Sequence, residues 1–169
     1  MAPLEHMAAE TWREMIDVNL TGAWNTIKAA VPFLLERGRG AVVVTSSANG
    51  GLKAPPNLAH YAASKHGVVG LVRSLANELG PRGIRVNSIH PTAVATEMLL
   101  NDATYRLFRP DLEEPGLDDV VDLFSSFHSL AIPWIEPIDV ANAVAFLVSD
   151  RARYLTGVAL PIDAGLSAR

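Results

Sequence analysis

The chain has 169 residues, 49% of them hydrophobic and 19% charged, with no cysteine and a formal net charge of -4. That is one domain's worth of sequence, burying about 70% of its unfolded-chain surface; the low charged fraction argues against disorder, and the lack of cysteine excludes disulfides, thiolate metal sites and a cysteine nucleophile. The mild acidity offers no basic stripe for nucleic acid, no apolar run reaches membrane-spanning length, and the first residues have neither the basic start nor the apolar core of a signal peptide.

A soluble, cytoplasmic, single-domain protein is therefore expected, and its elements can be taken in chain order. Residues 11–36 read as a helix: Thr11 and Glu14 fit a capping box, and Trp12, Ile16, Leu20, Trp24, Ile27, Val31 and Leu34 recur at spacings of three and four. Pro32 predicts a kink, and Gly38 and Gly40 a stop. Residues 41–45, Ala-Val-Val-Val-Thr, form a β-branched run suited to a buried parallel strand. Residues 46–57, with Gly50-Gly51 and Pro55-Pro56, read as a loop.

A second long helix is expected over 58–79, closed by Gly80-Pro81. Nearly all its faces are apolar or small, so it needs cover on both sides. Residues 84–89 make a second strand, ended by Pro91. Residues 92–135 read as a long irregular segment with one short amphipathic helix near 117–130. Pro137 starts a helix whose expected apolar face is Val140, Ala141, Val144, Ala145 and Val148, and residues 158–162 make a third strand. This order predicts an α/β protein with a parallel sheet.

Tyr61 and Lys65, four apart on a helix, share a face. The bland reading is a surface pair, but the helix is otherwise almost wholly apolar, and the hydroxyl pair Ser46-Ser47 closes a strand shortly before it. In α/β sheets ligands bind outside the carboxyl ends of the strands. A free phenol is a poor base at neutral pH, yet an ammonium about 4 Å away contributes about 4 kcal/mol at an effective dielectric of about 20, enough to make it a general acid/base. Ser47 would donate a hydrogen bond to a carbonyl oxygen as charge develops there. Such groups suit proton transfer at an alcohol oxygen; no side chain accepts hydride, so redox chemistry there needs a cofactor.

The remaining candidates have structural readings. His6, His60, His66, His90 and His128 lack metal-ligand spacing and are expected to be solvent-facing or structural. Asp111, Glu113, Glu114, Asp118, Asp119 and Asp122 suit a solvated face. Asn87 suits a strand-stabilising bond, and Gly67 and Gly70 close helix packing.

Three blocks carry a resemblance. Val43-Val-Thr-Ser-Ser47-Ala-Asn-Gly50, Tyr61-Ala-Ala-Ser-Lys65 and Arg85-Val-Asn-Ser-Ile-His-Pro91, in that order and spacing, resemble the short-chain dehydrogenase/reductase family. The wording around His60 and from Ile89 to Thr92 resembles its carveol-dehydrogenase-like, mycofactocin-associated branch. The resemblance implies that Tyr61 is the general acid/base, that Lys65 eases the loss of its proton and binds the nicotinamide ribose, and that Ser47 holds the substrate oxygen. Asn19, in Ile16-Asp-Val-Asn-Leu20, would bind a water linking Lys65 to solvent. Pro91, Thr92, Val94 and Thr96 would form the nicotinamide loop, with Thr92 in place of the family's usual glycine. Residues 97–135 would be a substrate lid, with Leu99, Leu100, Phe108, Phe124, Phe127 and Trp134 lining an apolar pocket.

The implied cofactor is NAD, with NADP left open, and the implied substrate a small apolar alcohol or ketone. The implied assembly is a homo-oligomer, often a tetramer, through the 11–36 and 58–79 helices. The family's glycine-rich turn and its ribose-gripping acid have no counterpart among the 169 residues. The expectation is thus the C-terminal part of a doubly wound Rossmann-type parallel sheet, lacking the N-terminal strands and the glycine-rich turn. Two readings remain: an oxidoreductase interconverting a secondary alcohol and a ketone, or a catalytically inactive truncated fragment that retains the helix-bundle oligomerisation surface.

Overall fold

The computed structural model describes residues 1–169. Its first long helix runs as α1 (Ala9–Ile16), a π-helical turn (Asp17–Thr21) and α2 (Gly22–Arg37). The expected capping box at Thr11 and Glu14 does not form. The helix starts earlier, with Ala8 at the cap position making no side-chain bond and the Trp12 N–H donating to the Ala8 carbonyl. α2 continues through Pro32 and ends at Gly38, whose φ of 68° is the left-handed conformation that glycine adopts without strain.

β1 (Gly40–Thr45) follows, and then a one-turn helix, α3 (Ala48–Gly51), inside the segment expected to be loop. α4 (Ala59–Leu79) and β2 (Ile84–Pro91) match their expected extents closely. The long segment after β2 holds two helices rather than one, α5 (Asp102–Phe108) and α6 (Asp118–Phe127). The unexpected α5 has a local cause: the Asn101 side chain accepts the Thr104 N–H as an N-cap. α7 (Pro137–Val148) begins with proline in its first turn and leads to β3 (Ala159–Ile162). Its inward face is Val140, Val144 and Leu147, whereas Ala141, Ala145 and Val148, placed on that face by the sequence, are exposed.

The three strands are parallel in the order β1-β2-β3, with Val43 opposite Asn87 and Ile89 opposite Leu160. Because side chains alternate along a strand, the two sheet faces build separate cores. On one face Ile84 and Val86 meet Val68, Val72, Ala76 and Leu79 of α4, with Val31, Leu34 and Leu35 of α2 against them. On the other, Ile89, Leu147 and Ala152 pack with Val43, Val140, Val144 and Leu160. A third cluster, Tyr105, Val120 and Phe124, lies in the 97–135 segment. No helix is long and apolar enough to cross a membrane.

Two side chains of β2 fasten this layering. Asn87 donates to the Leu155 carbonyl at 2.9 Å and accepts the Val158 N–H at 3.0 Å, the strand-stabilising role expected of it. The Arg85 guanidinium donates to the Leu147 carbonyl at 2.6 Å and the Ser149 carbonyl at 3.1 Å, so a cation sits at the carbonyl end of α7. Arg85→Met keeps the aliphatic stem but strands those carbonyls. It is expected to cost about 2–3 kcal/mol of stability, read as a lower urea midpoint at unchanged slope.

Candidate active site

Ser47, Tyr61 and Lys65 come together at the carboxyl end of β1. β1 ends at Thr45, and Ser46 continues the ladder by donating its N–H to the Ile89 carbonyl at 2.8 Å. Ser47 then turns the chain into α3. It is 8% exposed, and its hydroxyl makes no capping bond to that helix. Tyr61 and Lys65 stand one turn apart on α4, with the Lys65 ammonium 5.9 Å from the centre of the Tyr61 ring. Lys65 Nζ also donates to the Thr45 carbonyl at 3.2 Å, so the strand end that carries Ser47 holds the ammonium as well. Burial pulls the Lys65 amine below the ordinary lysine range.

A second layer of contacts, which the sequence reading missed, holds this cluster in place. Ser46 Oγ donates to the Lys65 carbonyl at 3.0 Å, stitching the strand end to α4. The Ser47 carbonyl accepts the Gly51 N–H at 2.8 Å and lies 3.1 Å from His90 Nδ1. A carbonyl can only accept, so Nδ1 carries the imidazole proton, and Nε2 accepts from Ser88 Oγ at 2.9 Å. His90 is fully buried. Any side chain on Gly51 would strike Ser46 Oγ and the His90 ring, and one on Gly50 would strike the Tyr61 ring. The adjacent glycines just after Ser46-Ser47 were the available signal, since a tight strand-to-helix turn against a buried ring has no room for a Cβ.

Burial holds the His90 imidazole below its usual value of 6.5, outweighing the bond to Ser47 that favours the charged form. The unfolded chain therefore binds more protons than the folded one below about pH 6.5, and stability falls as pH drops through the range down to the folded value. His90→Phe keeps the ring but loses both bonds. It is expected to cost about 2–3 kcal/mol near neutrality and to flatten that acid limb, in urea melts compared at about pH 7 and about pH 5.5.

Asn19 lies in the π-helical turn between α1 and α2, a distortion that frequently marks functional positions. Its amide nitrogen donates to Ser64 Oγ at 3.2 Å, and Ser64 Oγ donates to the Tyr61 carbonyl at 2.8 Å. The protein contact of Asn19 with α4 thus runs through Ser64, fully buried and not anticipated from the sequence. Gly67 packs closely as expected, because a Cβ there would come within 2.7 Å of Leu20 Cδ2, but Gly70 faces open space and has no such role within the chain.

Pro91, Thr92, Val94 and Thr96 leave the end of β2 beside this cluster. The Thr92 N–H donates to the Ile162 carbonyl at 3.1 Å, Val94 forms a parallel bridge with Ile135, and Thr96 Oγ1 lies 3.4 Å from the Val94 carbonyl. Of the apolar residues in the 97–135 segment, Leu99, Phe108, Phe124, Phe127 and Trp134 gather into one cluster. The Phe108 and Phe124 rings meet at 4.8 Å, tilted by 59°, Phe127 and Trp134 lie 6.1 and 6.4 Å from Phe124, and Leu99 packs against the same cluster. A segment that leaves the main core this far must bury its own apolar surface. The acidic residues of the segment are exposed, and Asp111 forms a two-point ion pair with Arg109 at 2.8 and 2.9 Å. A cavity of about 940 Å³ lies at the opposite end of the strands, lined by Arg39, Gly40, Ile84, Arg85 and Tyr154 among others, away from Ser47 and Tyr61.

Known proteins share this fold. The family model described as Enoyl-(Acyl carrier protein) reductase matches residues 1–167. The (-)-trans-carveol dehydrogenase of Rhodococcus erythropolis is 55% identical over 155 residues, covering 92% of this chain and 56% of that protein. A carveol dehydrogenase from Mycobacterium avium, solved in complex with NAD, superposes with a TM-score of 0.96 at 54% identity, over 99% of this chain and 60% of that one. An oxidoreductase of the short-chain dehydrogenase/reductase family from Burkholderia thailandensis gives a TM-score of 0.81 at 33% identity, again over 99% and 60%. The chain thus spans 56–60% of the length of these relatives.

Proposed function

The chain belongs to the short-chain dehydrogenase/reductase family, and on that premise we propose that the protein carrying it interconverts a secondary alcohol and a ketone with NAD(H). One observation carries the reading: Tyr61, Lys65 and Ser47 gather where two parallel strands end, with the Lys65 ammonium tied to the Thr45 carbonyl. The residues fit the nicotinamide-ribose half of the cofactor. Lys65 spends one of its three N–H groups on Thr45, leaving donors for ribose hydroxyls, and the 91–96 loop lies past the end of β2, where ligands of such sheets bind. No residues among the 169 fit the pyrophosphate, for which the family uses a glycine-rich turn. NAD is favoured over NADP by the NAD complex of the carveol dehydrogenase relative.

When bound, the cofactor supplies the hydride acceptor or donor. Tyr61 Oη takes the substrate hydroxyl proton during oxidation and returns it during reduction. The Lys65 ammonium stabilises the negative charge left on the phenol oxygen, and Ser47 Oγ donates to the substrate oxygen as charge develops there. Asn19 holds the water through which Lys65 exchanges protons with solvent, and Ser64 keeps its amide oriented toward α4. The lid closes over a small substrate of apolar character, a class supported by the carveol dehydrogenase relatives. A cytoplasmic location follows from this use of the nicotinamide pool.

The test is NADH formation by the natural protein that contains this chain, assayed with a panel of cyclic and acyclic secondary alcohols. Turnover of at least one is expected; tight NAD binding without oxidation of any would defeat the reading. A second reading is favoured by the missing pyrophosphate turn: the 169 residues by themselves hold the catalytic face but bind no cofactor, and persist as an assembly through helices 11–36 and 58–79. Val18 and Phe33, 67% and 73% exposed on the first of these, are the apolar surface such an assembly would cover. Calorimetric titration of the 169-residue chain with NAD decides between them, with tight binding removing the second reading. Sedimentation measures the assembly.

A further inference from the structure

We infer that Thr92 and His128 are a positioning pair that locks the 91–96 loop onto the base of the lid, an inference that rests on the reading that this loop holds the nicotinamide end of NAD. His128 follows α6 and is 2% exposed. Its Nδ1 lies 2.6 Å from the Ile132 carbonyl, and its Nε2 lies 2.7 Å from Thr92 Oγ1. The carbonyl can only accept, so Nδ1 carries a proton, and Nε2 is paired with the Thr92 hydroxyl. Both ring nitrogens are thereby satisfied inside the protein, and the hydroxyl is aimed by a ring that cannot turn without breaking two bonds.

The backbone converges on the same point. Ala95 N–H donates to the Ile135 carbonyl at 2.9 Å, and Ile135 N–H to the Ala93 carbonyl at 3.0 Å, so the start of the loop and the end of the lid are zipped together. Behind them, Leu130 N–H and Ser129 Oγ donate to the Ala164 and Gly165 carbonyls, fixing the lid base to the tail after β3. Asp163, the charged group on the His128 side of that tail, is occupied by bonds from the Gly165 and Ser167 N–H groups. Thr92–His128 is a side-chain link from the cofactor loop to this clamp. A glycine at position 92, the residue the family resemblance leads one to expect, has no hydroxyl to give. The departure at Thr92 and the buried lid histidine therefore explain each other: this bond adds a side-chain link to the backbone bonds that seat the lid against the loop.

Thr92→Val, Thr92→Ala and Thr92→Ser in the natural protein test the pair with two readouts. Hydrogen–deuterium exchange without NAD should show peptides covering 93–95 and 135 losing protection in Thr92→Val and Thr92→Ala, and regaining it in Thr92→Ser. Steady-state kinetics should show KM for NAD rising about 10-fold in the first two with a smaller change in kcat, and the serine variant restoring it. Thr92→Ala covers the case in which valine does not fit. Unchanged protection in the variants lacking the hydroxyl overturns the link, and lost protection with unchanged KM overturns its positioning role. A wild-type protein that binds no NAD defeats the reading of the loop, and the positioning role with it, while the exchange data still report on the bond.

Discussion

Tyr61→Phe is expected to lower turnover of the natural protein by about 10²–10⁴-fold while leaving its affinity for NAD within about twofold. The change removes one oxygen and leaves the ring, and the ring is what the neighbourhood recognises: Gly50 packs against its edge. Lys65 keeps its bond to the Thr45 carbonyl whether or not the phenol is present, so the group proposed to meet the ribose stays in place. What disappears is the only proton carrier on that face of α4 that meets an alcohol oxygen in the proposed mechanism. Ser47 still donates a hydrogen bond, but a serine hydroxyl is too weak a base to take the alcohol proton in its place. Measuring kcat and the NAD dissociation constant on the same preparation separates the two effects. A variant retaining most of its rate would remove Tyr61 from its role, and one that lost NAD binding equally would make the phenol a binding group.

The parts of this site that were legible in the sequence are those where chemistry and periodicity coincide. Tyr61 and Lys65 are four apart on a helix whose apolar pattern is unambiguous, and Ser47 follows a short β-branched strand, so residue type and placement point the same way. The three strands and α4 were legible for the same reason. α5 was hidden because seven residues carry too little periodicity, and its cap, Asn101, is a single residue in an irregular stretch. The helix start at Ala9 was hidden because Thr11 and Glu14 offered a better cap than the alanine the fold uses. His90 and His128 were expected to be solvent-facing or structural, and they are buried; each has one partner, Ser47 or Thr92, that lies 43 or 36 residues away in sequence, which no local pattern encodes. The inward face of α7 was misplaced because Ala141, Ala145 and Val148 are apolar enough to mimic it. Leu147 is the residue that meets Ile89.

Gly50→Ala carries the second large effect, because a single methyl group tests whether the Tyr61 ring position matters. A Cβ at Gly50 would stand 2.5 Å from Tyr61 Cε1 and 3.1 Å from Lys65 Cβ, well inside the roughly 3.5–4.0 Å at which carbon atoms rest. α3 cannot simply withdraw, since the neighbouring Gly51 N–H is bonded to the Ser47 carbonyl and its own Cβ position is filled by Ser46 and His90. The half-buried Tyr61 ring is the softer element and gives way. A displacement near 1 Å of an acid/base group is expected to lower kcat by about 10²-fold, with about 1–3 kcal/mol lost from stability through overpacking. Gly70→Ala on α4 makes the comparison sharp: nothing stands within 4 Å of its Cβ position, so it should stabilise the chain by about 0.4–1 kcal/mol through helix propensity and unfolded-state entropy. Two glycine-to-alanine changes, one in the turn behind Tyr61 and one along its helix, should therefore move the urea midpoint in opposite directions, with only Gly50→Ala reducing kcat. If Gly50→Ala lost stability but kept its rate, the ring would be free to shift without consequence, and the proposed proton transfer would not depend on where Tyr61 stands.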